Sequence, residues 1–132
     1  MKILVDTNVL ISALVFGGKS KLLLVELFKS EHTLYVSSYI DEEFNEKLLE
    51  KWSDKAERIY NIYRKMDFIH VDSTNMKLGD LRDKKDIPIL SDAIHHGMDV
   101  ILTGDKDFLE ADLEKPLALS VDILYQYLNE KQ

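Results

Sequence analysis

Apolar positions along the chain fall into short unbroken runs separated by longer stretches of helical spacing. Lys2 to Val5 is a near-continuous apolar run, as a strand buried on both faces requires. It stops at Asp6-Thr7-Asn8. A helix is then expected from residue 9 to about 16, with Thr7 or Asn8 as its N-cap and Gly17-Gly18 as its end. Residues 20–30 read as a second helix, and 33–36 as a short strand. Ser37 and Ser38 offer an N-cap to a helix over 39–52, whose inner stripe is Ile40, Phe44, Leu48 and Leu49. A further helix over 54–66 carries Ala56, Ile59, Tyr60, Ile62 and Tyr63, and 68–71 is a strand.

The second half repeats the alternation. Residues 72–80 hold a short turn or helix, and 82–85 a charged loop. Asp86 begins a helix that tolerates Pro88 in its first turn, presents Ile89, Leu90, Ala93 and Ile94, and stops at Gly97. A strand over 100–102 runs into Thr103-Gly104-Asp105, followed by a short helix or loop through 113. Residues 117–119 form a last strand. Ser120 caps a terminal helix with Val121, Leu124, Tyr125 and Leu128 on one face. Strands alternating with helices argue for an α/β fold with a mainly parallel sheet. With 132 residues and no repeat or linker, the expectation is one domain over 1–132.

Composition narrows the chemistry. The 24 acidic residues exceed the 17 basic ones, giving a net charge of -7, which excludes a simple electrostatic binder of nucleic acid. The absence of cysteine removes disulfides, thiolate nucleophiles, iron–sulfur clusters and cysteine-based zinc sites. The apolar run over 3–16 is broken by Asp6, Thr7 and Asn8 and lacks a basic leader, so a cytoplasmic location without membrane contact is expected.

Ligands of open parallel sheets bind outside the carboxyl ends of the strands. Asp6 ends the first strand, and Asp105, with Asp107 behind it, follows the strand over 100–102. Glu43 and Asp86 lie near helix starts at the same edge. Four carboxylates on one rim repel each other unless a divalent cation lies between them, and oxygen ligands suit Mg²⁺ or Mn²⁺. Such ions can activate water against a phosphodiester without a covalent nucleophile. Each acid also has a plainer reading: Asp6 and Asp86 as helix caps, Glu43 as part of a solvated acidic helix start beside Asp41 and Glu42, Asp105 as a turn former. Arg82, Lys84 and Lys85 read as a solvated loop that could touch phosphate. Tyr60 and Tyr63 read as packing, and the four histidines lack metal-ligand spacing.

Four blocks together carry a family resemblance: KILVDTNVLISAL, VSSYIDEEFNEKL, DKKDIPILSDAIHHGMDVILTGDKDF, and the closing Thr-Gly-Asp within the last. The chain resembles the PIN-domain ribonucleases, in particular the prokaryotic VapC-like toxins of toxin–antitoxin pairs, from residue 2 to about 128. The resemblance implies a PIN α/β/α sandwich and Mg²⁺- or Mn²⁺-dependent cleavage of RNA. It implies Asp6, Glu43, Asp86 and Asp105 as catalytic, metal-binding acids, with Asn8, Thr103 and Asp107 in support. Glu42 is the alternative to Glu43. A cognate antitoxin and a homodimer are the implied partners. Asp83-Lys84-Lys85-Asp86 stands where related chains often carry Asp-Pro-Asp-Asp, so Lys85 replaces an acid. Two other readings remain at this stage. One is a PIN-like module that binds RNA or protein without cutting. The other is a haloacid-dehalogenase-like phosphatase, whose second Asp is here Asn8.

Overall fold

A computed structural model describes residues 1–130; Lys131 and Gln132, the end of the expected domain, lie outside the described residues. Five strands, β1 (Lys2–Val5), β2 (Thr33–Ser37), β3 (Ile69–Val71), β4 (Val100–Leu102) and β5 (Leu117–Leu119), form one sheet in the order β3-β2-β1-β4-β5. Every pairing is parallel; Ile3 lies opposite Leu34 on one side and Val100 on the other. The central strand explains its own sequence: Ile3, Leu4 and Val5 are buried completely, while Ile69 and Leu117 on the edge strands are exposed.

The connections are helical: α1 (Thr7–Ile11), which continues as a π-helical turn (Ser12–Phe16), α2 (Gly18–Phe28), α3 (Ser38–Lys51), α4 (Ala56–Arg64), α5 (Ile87–His95), α6 (Lys106–Leu109) and α7 (Val121–Glu130). The chain winds outward from β1 to β2 and β3, then crosses back to β4 and β5 on the far side of β1. Right-handed crossovers therefore put helices on both faces of the sheet, an α/β/α arrangement. The reversal of winding lies between β1 and β4, and ligands of open α/β sheets bind at that point.

One expected helix start moves. The cap of α1 is Asp6 rather than Thr7 or Asn8: Asp6 is extended (φ -68°, ψ 152°), and its Oδ1 accepts from the Thr7 amide at 2.7 Å. Asp86 holds the N-cap position of α5, as expected, but its side chain makes no capping hydrogen bond. Asp83 caps a short 3₁₀ turn (Lys84–Asp86) by accepting from the Lys85 amide at 3.0 Å, and Asp86 is already helical. Pro88 sits in the first turn of α5, as expected.

Residues 72–80 form no helix or strand; they are tied down onto α5 by side chains. Asp92, fully buried, accepts from Ser73 Oγ at 2.7 Å and the Thr74 amide at 2.8 Å, and Ser91 Oγ bonds both the amide and the carbonyl of Leu78. Tyr63 packs edge-on against Phe44 at 4.9 Å, and Tyr60 Oη donates to Asp41 Oδ2 at 2.9 Å, so both tyrosines serve packing. No single described helix is long and apolar enough to cross a membrane. The Thr7–Phe16 and Gly18–Phe28 helices are apolar enough in sum, but they bend by 106° and bury Val9, Leu10, Ala13, Leu23, Leu24 and Leu27 in the core.

Candidate acidic site at the strand ends

The site is built where β1 and β4 end. Asp6 leaves β1 with its amide bonded to the Leu102 carbonyl at 3.0 Å, which locks the two strand ends together. Its side chain is only 4% exposed. Oδ2 accepts from Thr103 Oγ1 at 2.8 Å, and the same Thr103 oxygen accepts from the Asp105 amide at 3.0 Å. One buried hydroxyl thus joins the two acids. Asp105 in turn caps α6, its Oδ1 accepting from the Asp107 amide at 2.8 Å. The cap reading of Asp6 and the turn-former reading of Asp105 hold: Asp6 has both oxygens hydrogen-bonded, and Asp105 has its Oδ1 held by the Asp107 amide.

Asp86 and Glu43 complete the rim. Burial pushes the Asp6 carboxyl up to about 6; the Thr103 and Thr7 hydrogen bonds lower it, and the charges of Glu43 and Asp105 raise it. Burial also pushes Asp86 up to about 7, reinforced by hydrogen bonding and charge from Asp105 and by the charges of Asp6 and Asp83. Asp6 thus feels Glu43 and Asp105, and Asp86 feels Asp6 and Asp105. Glu43, half-buried, bears on Asp6, whereas Glu42 is exposed. The Oδ2 atom of Asp86 is buried and has no hydrogen-bond partner among the described residues. A buried acceptor without a donor is costly, and an all-oxygen set short of positive charge is the donor chemistry a hard divalent cation satisfies. The residues present fit Mg²⁺ or Mn²⁺.

The tightest grouping differs from the expected quartet. Oxygens of Asp83, Asp86 and Asp107 lie within 4.8 Å of one another, so Asp107 sits closer to Asp86 than a peripheral role would suggest. Sequence reading did not single out Asp83; its place opposite Asp86 across a 3₁₀ turn was the available signal. Tyr39 was also missed. Its phenol is pushed up by burial and by the charges of Glu43, Asp86, Glu46 and Asp6, so it remains a proton carrier at this rim, and its Oη donates to the Lys85 carbonyl at 3.4 Å.

The remaining expected residues are placed as follows. Asn8 is exposed at the start of α1, its Oδ1 accepting from Lys47 Nζ at 3.3 Å. Arg82 lays its guanidinium on Asp107, with Nε 2.8 Å from Oδ1, and reaches Glu110 at 3.6 Å. Lys84 pairs with Asp80 at 2.8 Å. Lys85 is exposed and forms no ion pair among the described residues.

Comparison with known proteins agrees with this geometry. A family profile described as PIN domain matches residues 2–107. No curated protein sequence matches the chain. Among solved structures, the chain is similar to one in the crystal structure of VapBC2 from Rickettsia felis bound to a DNA fragment from their promoter. The TM-score is 0.70 at 15% identity, over 91% of this chain and 98% of that one.

Proposed function

The chain belongs to the PIN-domain family, and from that premise we propose that it is a metal-dependent endoribonuclease acting as the toxin of a toxin–antitoxin pair in the cytoplasm. The observation that supports the reading is that Asp6 and Asp105 share the Thr103 hydroxyl where β1 and β4 end, with Asp6 and Asp86 both pushed toward protonation by burial and acidic neighbours. Mg²⁺ or Mn²⁺ held by Asp6, Glu43, Asp86 and Asp105 would supply an activated water and offset the charge of the departing oxygen.

The chain's own residues supply the rest. Thr103 fixes the Asp6 carboxylate by donating to Oδ2. The Asp107 amide fixes Asp105. Asn8 keeps its amide NH₂ available at the mouth of the site while its carbonyl holds Lys47. Tyr39, kept protonated beside the charges of Glu43 and Asp86, donates to the Lys85 carbonyl and so holds the loop that precedes Asp86.

RNA is the proposed substrate and an antitoxin the proposed partner; the similar VapBC2 structure is consistent with such a partner. A homodimer is proposed on the family's account alone. A phosphatase of the dehalogenase type is set aside, because the family match covers the blocks on which that reading rested.

Cleavage of a single-stranded RNA is measured with Mn²⁺ or Mg²⁺, with EDTA, and with Asp6→Asn. Both EDTA and the substitution should abolish turnover; activity that survives both sinks the proposal. One observation favours the non-cutting alternative: Arg82 already neutralises Asp107, one of the three closest acids. Isothermal titration with Mn²⁺ separates the two, since an absence of binding at millimolar metal would favour a module that binds without cutting.

A further inference from the structure

Four openings lie near the acids; one, about 260 Å³, is lined by Lys77 and Lys84 beside Ile87 and Pro88, and the other three differ in charge. The largest, about 500 Å³, is lined by Asp80, Arg82, Lys84, Asp107 and Glu110 among others. Both cations there are paired with those same carboxylates, which outnumber them three to two. The smallest, about 100 Å³, is lined by Tyr39 and by Glu42, Glu43 and Glu46. Either opening repels a polyanion. The third, about 350 Å³, runs from Asn8 and Gly104 past Ser12 and Ser20 to Lys19, Ser120 and Asp122. Its lining includes Asn8, two residues after Asp6, and Gly104, one residue before Asp105. Its one cation and one carboxylate, Lys19 and Asp122, pair at 2.9 Å and cancel.

We propose that this third groove, between α1, α2 and the start of α7, carries the backbone of a single-stranded nucleic acid to the acids, with Lys19 as its phosphate contact. The proposal rests on the nuclease reading above and names the route by which its substrate reaches the site.

The lining suits a phosphodiester chain. The Lys19–Asp122 pair is exposed on both sides, so it is weak and exchangeable, and a phosphate can take the place of Asp122. Lys19 Nζ also lies 5.1 Å from the centre of the Tyr125 ring, which steadies its stem at the groove. Ser120 Oγ accepts from the Ile123 amide and keeps its hydroxyl proton to donate. Ser12 and Ser20 share one hydrogen bond at 2.9 Å, leaving one hydroxyl proton over. A Cβ at Gly104 would meet nothing within 4 Å, so a backbone can approach closely there. Lys47, bonded to Asn8, adds a second cation at the mouth.

The test is fluorescence anisotropy of a short 2′-O-methyl RNA, which cannot be cleaved, titrated in Mn²⁺ at several salt concentrations. Lys19→Ala should weaken binding and reduce the slope of log K against log[salt] by about 0.7, the value for one phosphate contact on a single strand. Asp122→Ala should tighten binding severalfold by releasing Lys19, a gain that misfolding cannot produce. If wild-type protein binds but neither substitution changes the affinity, or if Lys85→Ala carries the loss instead, the groove is wrong and the nuclease reading stands. If the wild-type protein binds no oligonucleotide, both readings are overturned.

Discussion

Asp6 shows why a single residue can serve a site at the expense of the fold. It is held by two hydrogen bonds, yet burial and its acidic neighbours still push it up to about 6. A carboxyl raised above its unfolded value binds more protons when folded, so stability is greatest in acid and falls as pH rises through the folded pKa. The shift of about two units corresponds to about 3 kcal/mol for Asp6 at the usual value per unit. Asp86, raised to about 7, acts in the same direction. Metal-free protein should therefore melt several degrees lower at about pH 8 than at about pH 5. Mg²⁺ or Mn²⁺ should flatten that dependence. Asp6→Asn should raise the metal-free melting temperature near pH 8 and change it little near pH 4, while removing cleavage. Scanning calorimetry in EDTA checks this; a stability that rises with pH over that window contradicts the electrostatics.

Among the elements, the segment over 72–80 is the one whose order depends on side chains rather than on a backbone ladder. Asp92 holds Ser73 and Thr74, and Ser73 Oγ in turn accepts from the Tyr39 amide at 2.8 Å, in the first turn of α3. The helix that carries Glu43 is thus tied to the helix that follows Asp86. Asp92→Ala would leave these buried donors unpaired, at a cost of about 2–3 kcal/mol. The expected outcome is a lower denaturant midpoint, together with faster amide exchange over 73–78 and at the start of α3. Exchange that quickens nowhere but in α5 would show that the tie does not reach Tyr39. The sequence carries no local signal for this tie: the partners of Asp92 are 18 and 19 residues away and have no periodic signature.

For the molecule as a whole, the net charge of -7 sets the terms of any contact with nucleic acid. Arg82 and Lys84, which the sequence offered as a basic patch, pair with Asp107, Glu110 and Asp80. Little free positive charge faces the site, so binding should depend on bound metal. Affinity for a noncleavable single-stranded oligonucleotide should drop at least about tenfold when EDTA replaces Mn²⁺ at matched ionic strength, and should decline steeply with salt. Equal affinity in both buffers would show that the protein binds by a surface independent of the acids.

The sequence by itself determined the strand–helix alternation, the burial of Lys2–Val5, the placement of acids at strand ends, and the family blocks, because each of these is written in local periodicity or short motifs. The start of α1 was displaced to Asp6 by one to two residues, since several neighbouring residues can cap and only the backbone angles choose among them. Tertiary structure alone decided which acids meet. The strand order β3-β2-β1-β4-β5 puts β1 beside β4, so residues 97 apart share the Thr103 hydroxyl. Part of the excess of acid that first argued against nucleic acid lies around two openings, while the charges lining a third cancel. Charge counted along a chain gives the total, and only the fold gives its distribution in space, which governs what a polyanion meets.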